Sequence, residues 1–207
     1  MASGIVEPSS RDSQDSQEQT QTPRTGERAK LVERLLDAPN LPAFLKDLVT
    51  AQAVTVVGTE GVGFIIERNQ QQFNLRNVAH IRHDGSDDKA RAAAQQAFVE
   101  LIKPFLASGQ DGAVELKPAD QRPAAPEVES QYCLVTLLRT ETEIAAVSAV
   151  ITRCRNHERA SQRLMSMQLV AGYFELYNLR RHSDANRAIA HSHQRVLQLS
   201  RAVADAD

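Results

Sequence analysis

The sequence is poor in the residues that mark specialised protein classes. It has no tryptophan, aromatic residues make up 4% of its 207 residues, and its only cysteines are Cys133 and Cys154. It has no apolar run of about 18 residues, and its N-terminus, MASGIVEPSS, lacks the basic-then-apolar pattern of a secretion signal. These absences exclude a disulfide-rich scaffold and a membrane-spanning helix. We therefore expect a cytoplasmic protein with no membrane contact within this chain.

The charge balance also restricts the class of partner. The formal net charge is −2, whereas proteins that bind nucleic acid usually present a strongly basic face. No nucleic-acid partner is expected. With 42% hydrophobic residues, the chain is long enough for one sizeable core with appendages.

The composition changes along the chain and suggests three parts. Residues 1–26 are rich in Ser, Gln, Asp and Thr and cannot bury enough surface to offset their ordering entropy, so a disordered tail is expected. Residues 27–181 carry the apolar periodicities of one folded domain. Residues 182–207 resume a weak helical pattern, which predicts a helical extension or connector.

A central hairpin is predicted between Gln131 and Arg153. Two apolar runs rich in β-branched residues flank a polar connection over residues 139–143, which is typical of two strands and a turn. Both arms are apolar at odd and even positions, so both faces of this pair should be covered, as in the middle of a sheet. The expected register sets Cys133 opposite Val150, and Cys154 then lies too far away for a disulfide. We therefore expect both cysteines to be reduced and to have a structural role.

The rest of the chain predicts helices and further strands. Two short helices precede the sheet, the second capped by Asn40 and started by Pro42. Strands are expected at residues 53–58, 62–66, 73–81 and 113–116, and a helix starting near Ser86 should kink or end near Pro104. Together with the central hairpin, this predicts an α+β fold with a mainly antiparallel sheet of about six strands and helices on its faces.

Several sequence features resemble reactive or binding motifs, but none is complete. Gly58, Gly61 and Gly63 suggest a phosphate loop, yet no Gly-Lys-Ser/Thr ending follows, so a hairpin turn is the preferred interpretation. The histidines have no Cys or acidic residue at a ligand spacing, so no metal site is predicted. Cys133 and Ser148 lie among apolar neighbours without a histidine placed to activate them. We therefore expect no catalytic residue, no cofactor and no enzymatic activity.

The last long helix, from Asn156 to about Arg181, has two apolar stripes. The first comprises Met165, Leu169, Gly172, Leu176 and Leu179, and the second comprises Leu164, Met167, Ala171, Phe174 and Tyr177. One stripe is enough to dock a helix on a sheet, so the other needs a further partner, either the first helix of the chain or a second subunit. We assign the second stripe to a homodimer interface.

Small residues in the second arm of the hairpin leave room for a ligand or for a packed helix. If the space is a cavity, Thr136 and Ser148 form its floor. The predicted helix supplies Phe98 and Ile102, and the end of the third strand supplies His80 and Arg82. These six residues are the candidate site for an anionic or hydrogen-bonding small molecule. Close helix packing is the alternative explanation.

The order of elements and the central hairpin resemble the GAF family of small-molecule sensor domains. The resemblance covers residues 27–181 and depends on the helix before residues 53–58, on a helix inserted between the third and fourth strands, and on the hairpin Tyr132-Cys-Leu-Val-Thr-Leu-Leu-Arg…Glu143-Ile-Ala-Ala-Val-Ser-Ala-Val-Ile. Thr136-Leu137 stands where the family usually has Pro-Leu, and Ala145 or Ala146 replaces a Gly. The Asn-Lys-x-x-Phe-Asp-Glu type motif of members that bind cyclic nucleotides is missing.

The resemblance implies a regulatory module that senses a small molecule or relays a signal, and that pairs through its terminal helices. Such modules are joined to kinases, cyclases, transcription activators and, in some bacteria, to export adaptors. A structural dimerisation domain without a ligand is the alternative, as part of a longer signalling or export-adaptor protein. A filled core with an extensive helical face would favour that alternative.

Overall fold

The computed structural model describes residues 25–69, 72–82, 88–116 and 129–204. The predicted tail at residues 1–26 therefore lies almost wholly outside the described residues. Ten elements follow one another: α1 (Thr25–Leu36), α2 (Leu41–Val56), β1 (Gly58–Asn69), β2 (Gln72–Arg82), α3 (Asp88–Ser108), β3 (Gly112–Leu116), β4 (Ser130–Arg139), β5 (Ile144–Cys154), α4 (His157–Ala171) and α5 (Tyr173–Ala204).

The five strands form one sheet in the order β2-β1-β5-β4-β3, and every neighbouring pair is antiparallel. The hairpin of β4 and β5 lies inside this sheet, flanked by β3 and β1, as its apolar pattern on both faces predicted. Its register differs by one residue from the expected one, because Cys133 pairs with Ile151 rather than with Val150. Cys154 pairs with Ser130, so both cysteines are free and buried. The predicted α+β class is confirmed, with five strands in place of six.

The missing strand is the segment Ala53–Val56, which is the last turn of α2. Its β-branched residues favour a strand, but Ala53 and Val56 are buried on the helix against Tyr132 and Val150 of the sheet. Tertiary packing therefore overrides the local preference. The helix ends at Val57, which adopts a left-handed conformation with φ of 52°. Its N-terminus matches the prediction, since the Asn40 side chain accepts a hydrogen bond from Ala43 N at 2.9 Å.

Helix α3 does not end at Pro104, near which a kink or an end was predicted. It continues through Pro104 and ends at Ser108, and Gly109 follows with φ of 64°. Its predicted cap at Ser86 lies outside the described residues. The buried side of α3 carries Phe98 and Ile102.

Helices cover both faces of the sheet, which makes three layers. One face packs against α3 through Val62, Phe64, Cys133, Val135 and Val147. The opposite face packs against α1, α2, α4 and α5, and its core includes Leu45, Val49, Leu134, Val150 and Met167. Side chains alternate between the two faces along each strand, so consecutive residues of β4 and β5 belong to different cores.

The glycines of β1 serve this packing. A Cβ atom on Gly63 would lie 2.7 Å from Leu45 Cγ, and one on Gly61 would lie 2.9 Å from Val49 Cγ1. Both contacts are shorter than real Cβ atoms allow, so α2 approaches the strand at a distance that only glycine permits. The glycine spacing that suggested a phosphate loop therefore reflects close helix packing.

The long terminal helix is interrupted at Gly172, between α4 and α5. Helix α5 is then continuous for 32 residues and passes through Arg181, where the long helix was expected to end, into the predicted extension. Among the described residues, no helix is both long and apolar enough to cross a lipid bilayer.

Candidate functional site

The centre of the sheet carries a buried polar network. Thr136 and Ser148 face each other across β4 and β5, and their hydroxyl oxygens are 2.7 Å apart. Gln52 of α2 covers them and donates from Nε2 to Thr136 Oγ1 at 3.1 Å and to the Met167 carbonyl at 3.2 Å. The Gln52 Oε1 atom is buried without a hydrogen-bond partner. This network joins α2, the sheet and α4.

The six candidate ligand residues do not come together in one pocket. Thr136 and Ser148 lie on the sheet face covered by α2 and α4, whereas Phe98 and Ile102 pack on the face covered by α3. The whole sheet separates the predicted floor from the predicted helix, because a shift of one residue along a strand reverses the face. The hypothesis that all six residues bound a single cavity is therefore wrong.

His80 and Arg82 lie on the α3 face, near the predicted helix residues. His80 pairs across the strands with Val62, which belongs to the same apolar cluster as Phe98. His80 Nε2 is 2.7 Å from Glu60 Oε1, and Arg82 Nε is 4.0 Å from the same atom. The His80 side chain is 3% exposed, and its Nδ1 is buried without a hydrogen-bond partner. Glu60 stands in no sequence motif that predicts this contact.

The two apolar stripes of the terminal helices have exchanged their predicted roles: the stripe assigned to a dimer interface is buried in the protomer, and the other is exposed. Met167, Phe174 and Tyr177 are buried inside the protomer, and the Tyr177 ring stacks on Phe44 of α2 with centroids 4.5 Å apart. Leu164 and Ala171 are partly buried against the same cores. Residues enclosed in this way have little surface to give to a second copy, so their assignment to a dimer interface is corrected.

The other stripe is the exposed one. Met165 and Leu169 on α4 are 62% and 79% exposed, and Leu176 and Leu179 on α5 are 49% and 67% exposed. Gly172, at the junction of the helices, is exposed between them. Monomeric proteins scatter such residues singly, so an apolar stripe along two consecutive helices indicates an interaction surface.

Sequence reasoning missed a basic cleft where β5 leads into α4. Its volume is about 510 Å³, and its lining includes four arginines. They are Arg153, Arg155, Arg159 and Arg163. The signal was present, since Arg159 and Arg163 are four residues apart on a helix and Arg153 and Arg155 immediately precede it.

The thiols have the environment of structural cysteines. Burial raises the pKa of Cys133 to about 12, so this group stays protonated and unreactive at neutral pH. Burial also raises the pKa of Cys154, although the nearby Arg163 guanidinium opposes that effect. In the part of the chain that the structure describes, no group of three His, Cys, Asp or Glu side chains is placed to hold a metal ion.

Comparison with known proteins supports the fold. No protein-family model matches the sequence, and no curated protein matches it. The GAF domain of A. aeolicus nlh2, solved in an inactive state, superposes with a TM-score of 0.50 at 9% identity, covering 74% of this chain and 93% of that chain.

Two further solved structures are similar to this chain. The GAF domain of a phosphoenolpyruvate-protein phosphotransferase from Coxiella burnetii has a TM-score of 0.43 at 15% identity, covering 77% of this chain and 94% of that one. Residues 122 to 287 of a methyl-accepting chemotaxis protein have a TM-score of 0.46 at 11% identity, covering 75% and 99%. The A. aeolicus superposition shows that the chain has a GAF-like fold. Identities this low carry no information about ligand, activity or partner.

Proposed function

We propose that this GAF-like domain is a signal-relay module that works as a homodimer and pairs through the exposed stripe of α4 and α5. The stripe, defined as Met165, Leu169, Leu176 and Leu179, is the observation that carries the proposal. The role needs no catalytic step. It requires only that two copies meet and that a change in the domain reaches the paired helices.

The spacing of the stripe favours a second copy of this chain as the occupant. With Gly172 included, the residues follow one another at intervals of 4, 3, 4 and 3, the repeat that lets two helices interlock side chains. A stripe of this kind is complementary to itself, which suits a twofold dimer in which each copy offers the same surface. Leu169 is the most exposed of the four and is the expected centre of the contact.

The Gln52 network supplies a physical connection between the sheet and the dimer stripe. Gln52 binds the carbonyl of Met167, and Met167 lies on α4 between the exposed Met165 and Leu169. A shift in the central strands would therefore be felt by the backbone that carries the stripe. This connection supports a relay role rather than a purely passive one.

The test is the mass of the full chain in solution. Replacing Leu169→Glu together with Leu176→Glu puts charges on the stripe, so the mass by light scattering should fall to that of one protomer. The control is Val54→Glu, which changes an exposed apolar residue on α2, 54% exposed and outside the stripe. A wild-type chain that is monomeric at about 100 μM, far above the Kd of a stable dimer, or a double variant that stays dimeric, would contradict the proposal.

A structural dimerisation domain without a bound small molecule is the second candidate. It is favoured by the hydrogen bond between Thr136 and Ser148 and by the hydrogen bond from Gln52 to Thr136, which pair these buried polar groups with one another. Native mass spectrometry of the protein purified from its own source separates the two candidates. A dimer that retains a small molecule supports sensing, whereas an unliganded dimer supports scaffolding.

A further inference from the structure

The cleft between the end of β5 and the start of α4 has the size and charge of a ligand site. Its volume of about 510 Å³ falls within the usual range for small-molecule pockets. Two of its arginines, Arg153 and Arg155, come from the end of β5 and the turn that follows, while Arg159 and Arg163 come from the first two turns of α4.

The local charge differs from that of the whole chain. Four arginine residues and the two glutamates Glu129 and Glu158 line the cleft. Arg153 contributes its main-chain carbonyl, since the side chains of Thr152 and Cys154 face α2 and α4 and alternation directs that of Arg153 to the other face. Three guanidinium groups and two carboxylates leave a formal excess of 3 − 2 = 1 positive charge. The chain as a whole has a net charge of −2. The N-terminal end of α4, where Asn156 is the cap, adds a further partial positive charge from the helix dipole. Positive potential is therefore concentrated in the cleft.

Two of the guanidinium groups, those of Arg159 and Arg163, are held in place without being neutralised. Arg163 Nη1 donates to the Thr152 hydroxyl and to the Arg153 carbonyl, the latter at 2.8 Å. Arg159 Nη1 donates to Gln162 Oε1 at 2.9 Å. All these acceptors are uncharged. Within the described part of the chain, none of the four arginines forms an ion pair with a carboxylate.

We propose that this cleft binds a small phosphorylated compound with at least two phosphate groups. The planar fork of an arginine matches phosphate oxygens with paired hydrogen bonds, and phosphates also bind at helix N-termini. Arg155, in the turn after β5, and Arg159, on α4, provide for two phosphate groups, one beside each arginine. Arg163, oriented by the Thr152 hydroxyl and the Arg153 carbonyl, supplies the third guanidinium group of the cleft.

The test uses inorganic triphosphate as the probe and calorimetry on the full chain. At about 50 mM salt, where exposed charges are only partly screened, triphosphate should bind at least about tenfold more tightly than inorganic phosphate. Arg155→Gln with Arg159→Gln should weaken triphosphate binding by at least about tenfold. The control, Arg181→Gln with Arg187→Gln on the exposed part of α5, makes the same change in net charge and should weaken binding by less than about twofold.

A second pair of variants tests the site with the opposite sign. Glu158→Gln removes a negative charge from the lining and should tighten triphosphate binding by about threefold. Glu175→Gln, in the first turn of α5, removes the same charge elsewhere and should leave binding unchanged. Equal effects in matched pairs, no binding to the wild-type chain, or tighter binding of an acidic peptide than of triphosphate would overturn the proposal.

Ligand binding in the cleft and pairing through the stripe do not depend on each other. Triphosphate binding is measured at the cleft, and pairing is measured by mass with the stripe variants. A negative result in one of these two experiments would therefore leave the other proposal unaffected.

Discussion

Gln52 on α2 and Met167 on α4 are joined by a buried hydrogen bond of 3.2 Å from Nε2 to the main-chain carbonyl. The same nitrogen also donates to Thr136 in the sheet. A single amide thus links the three parts of the molecule whose relative position a relay domain has to control.

The first prediction concerns Gln52→Leu. The change removes the Nε2 amide group and with it the hydrogen bonds to the Met167 carbonyl and the Thr136 hydroxyl, but it also removes the unpaired Gln52 Oε1. The free energy of unfolding, measured in denaturant, should fall by about 1–2 kcal/mol. Gln96→Leu, on the exposed side of α3, is the control and should change it by no more than about 0.5 kcal/mol. Equal effects in the two variants would show that the buried network is not stabilising.

Two glycines should respond in opposite directions to alanine. Gly63→Ala places a Cβ against Leu45, which is fully buried, so the free energy of unfolding should fall by about 1–3 kcal/mol. Gly172→Ala adds a methyl group at an exposed position with helical φ and ψ angles. Because this Cβ would lie 3.3 Å from the Leu169 carbonyl oxygen, the free energy of unfolding should rise by no more than about 0.5 kcal/mol. Denaturant curves on both variants check this, and stabilisation by Gly63→Ala would show that α2 can move away from β1.

The contact between Glu60 and His80 should contribute more to the free energy of unfolding than a surface ion pair does. Glu60→Ala removes the carboxylate that lies 2.7 Å from Nε2 of His80, a side chain that is 3% exposed. Both ring nitrogens are then buried without a partner, so the free energy of unfolding should fall by about 1–3 kcal/mol. Glu67→Ala breaks the exposed pair with Arg76 and should cost less than about 1 kcal/mol. A larger loss for Glu67→Ala in thermal or chemical unfolding would contradict the expected order.

Stability should fall at alkaline pH because of Cys133. Its thiol has a pKa raised from 9.0 to about 12 by burial, so the folded state keeps a proton that the unfolded state releases. The stabilisation is complete below pH 9 and is lost as the pH rises towards 12, at up to about 1.4 kcal/mol per pH unit.

Cys133→Ala is the variant that isolates this effect. It costs stability at every pH by leaving a small cavity, but its unfolding free energy should decline less steeply than that of the wild type from about pH 9 upwards. Parallel pH profiles would mean that other groups, such as Tyr132 and Tyr177, whose pKa values burial also raises, account for the decline.

The sequence predicted the central hairpin because its apolar residues continue on both faces, and only an interior pair of strands needs that pattern. It failed at residues 53–57, where β-branched residues end a helix instead of forming a strand. The preference of Val and Thr for strands is smaller than the gain from packing Val56 against the sheet.

The candidate site was less predictable than the fold. Helical spacing revealed two apolar stripes on the last helix but did not show which of them packs on the domain. The buried stripe is the one that contains the aromatic side chains. The candidate pocket residues were chosen by side-chain size. The sheet face on which a strand residue lies depends instead on whether its position along the strand is odd or even. Thr136 and Val135 therefore lie in different cores. The arginine cleft needs the turn between β5 and α4 to bring its walls together, which spacing alone did not show.

Helix α5 extends well beyond the packed body of the protein. Arg180 pairs with Asp37 of α1 at 2.5 Å, and every residue from Leu179 to Arg195 is exposed. Its 32 residues correspond to a rod of about 48 Å. A bend of about 5° just beyond Arg180, where the packed part of α5 ends, would displace the far tip, about 36 Å away, by about 3 Å. Movements too small to disturb the core would therefore become large displacements at the tip.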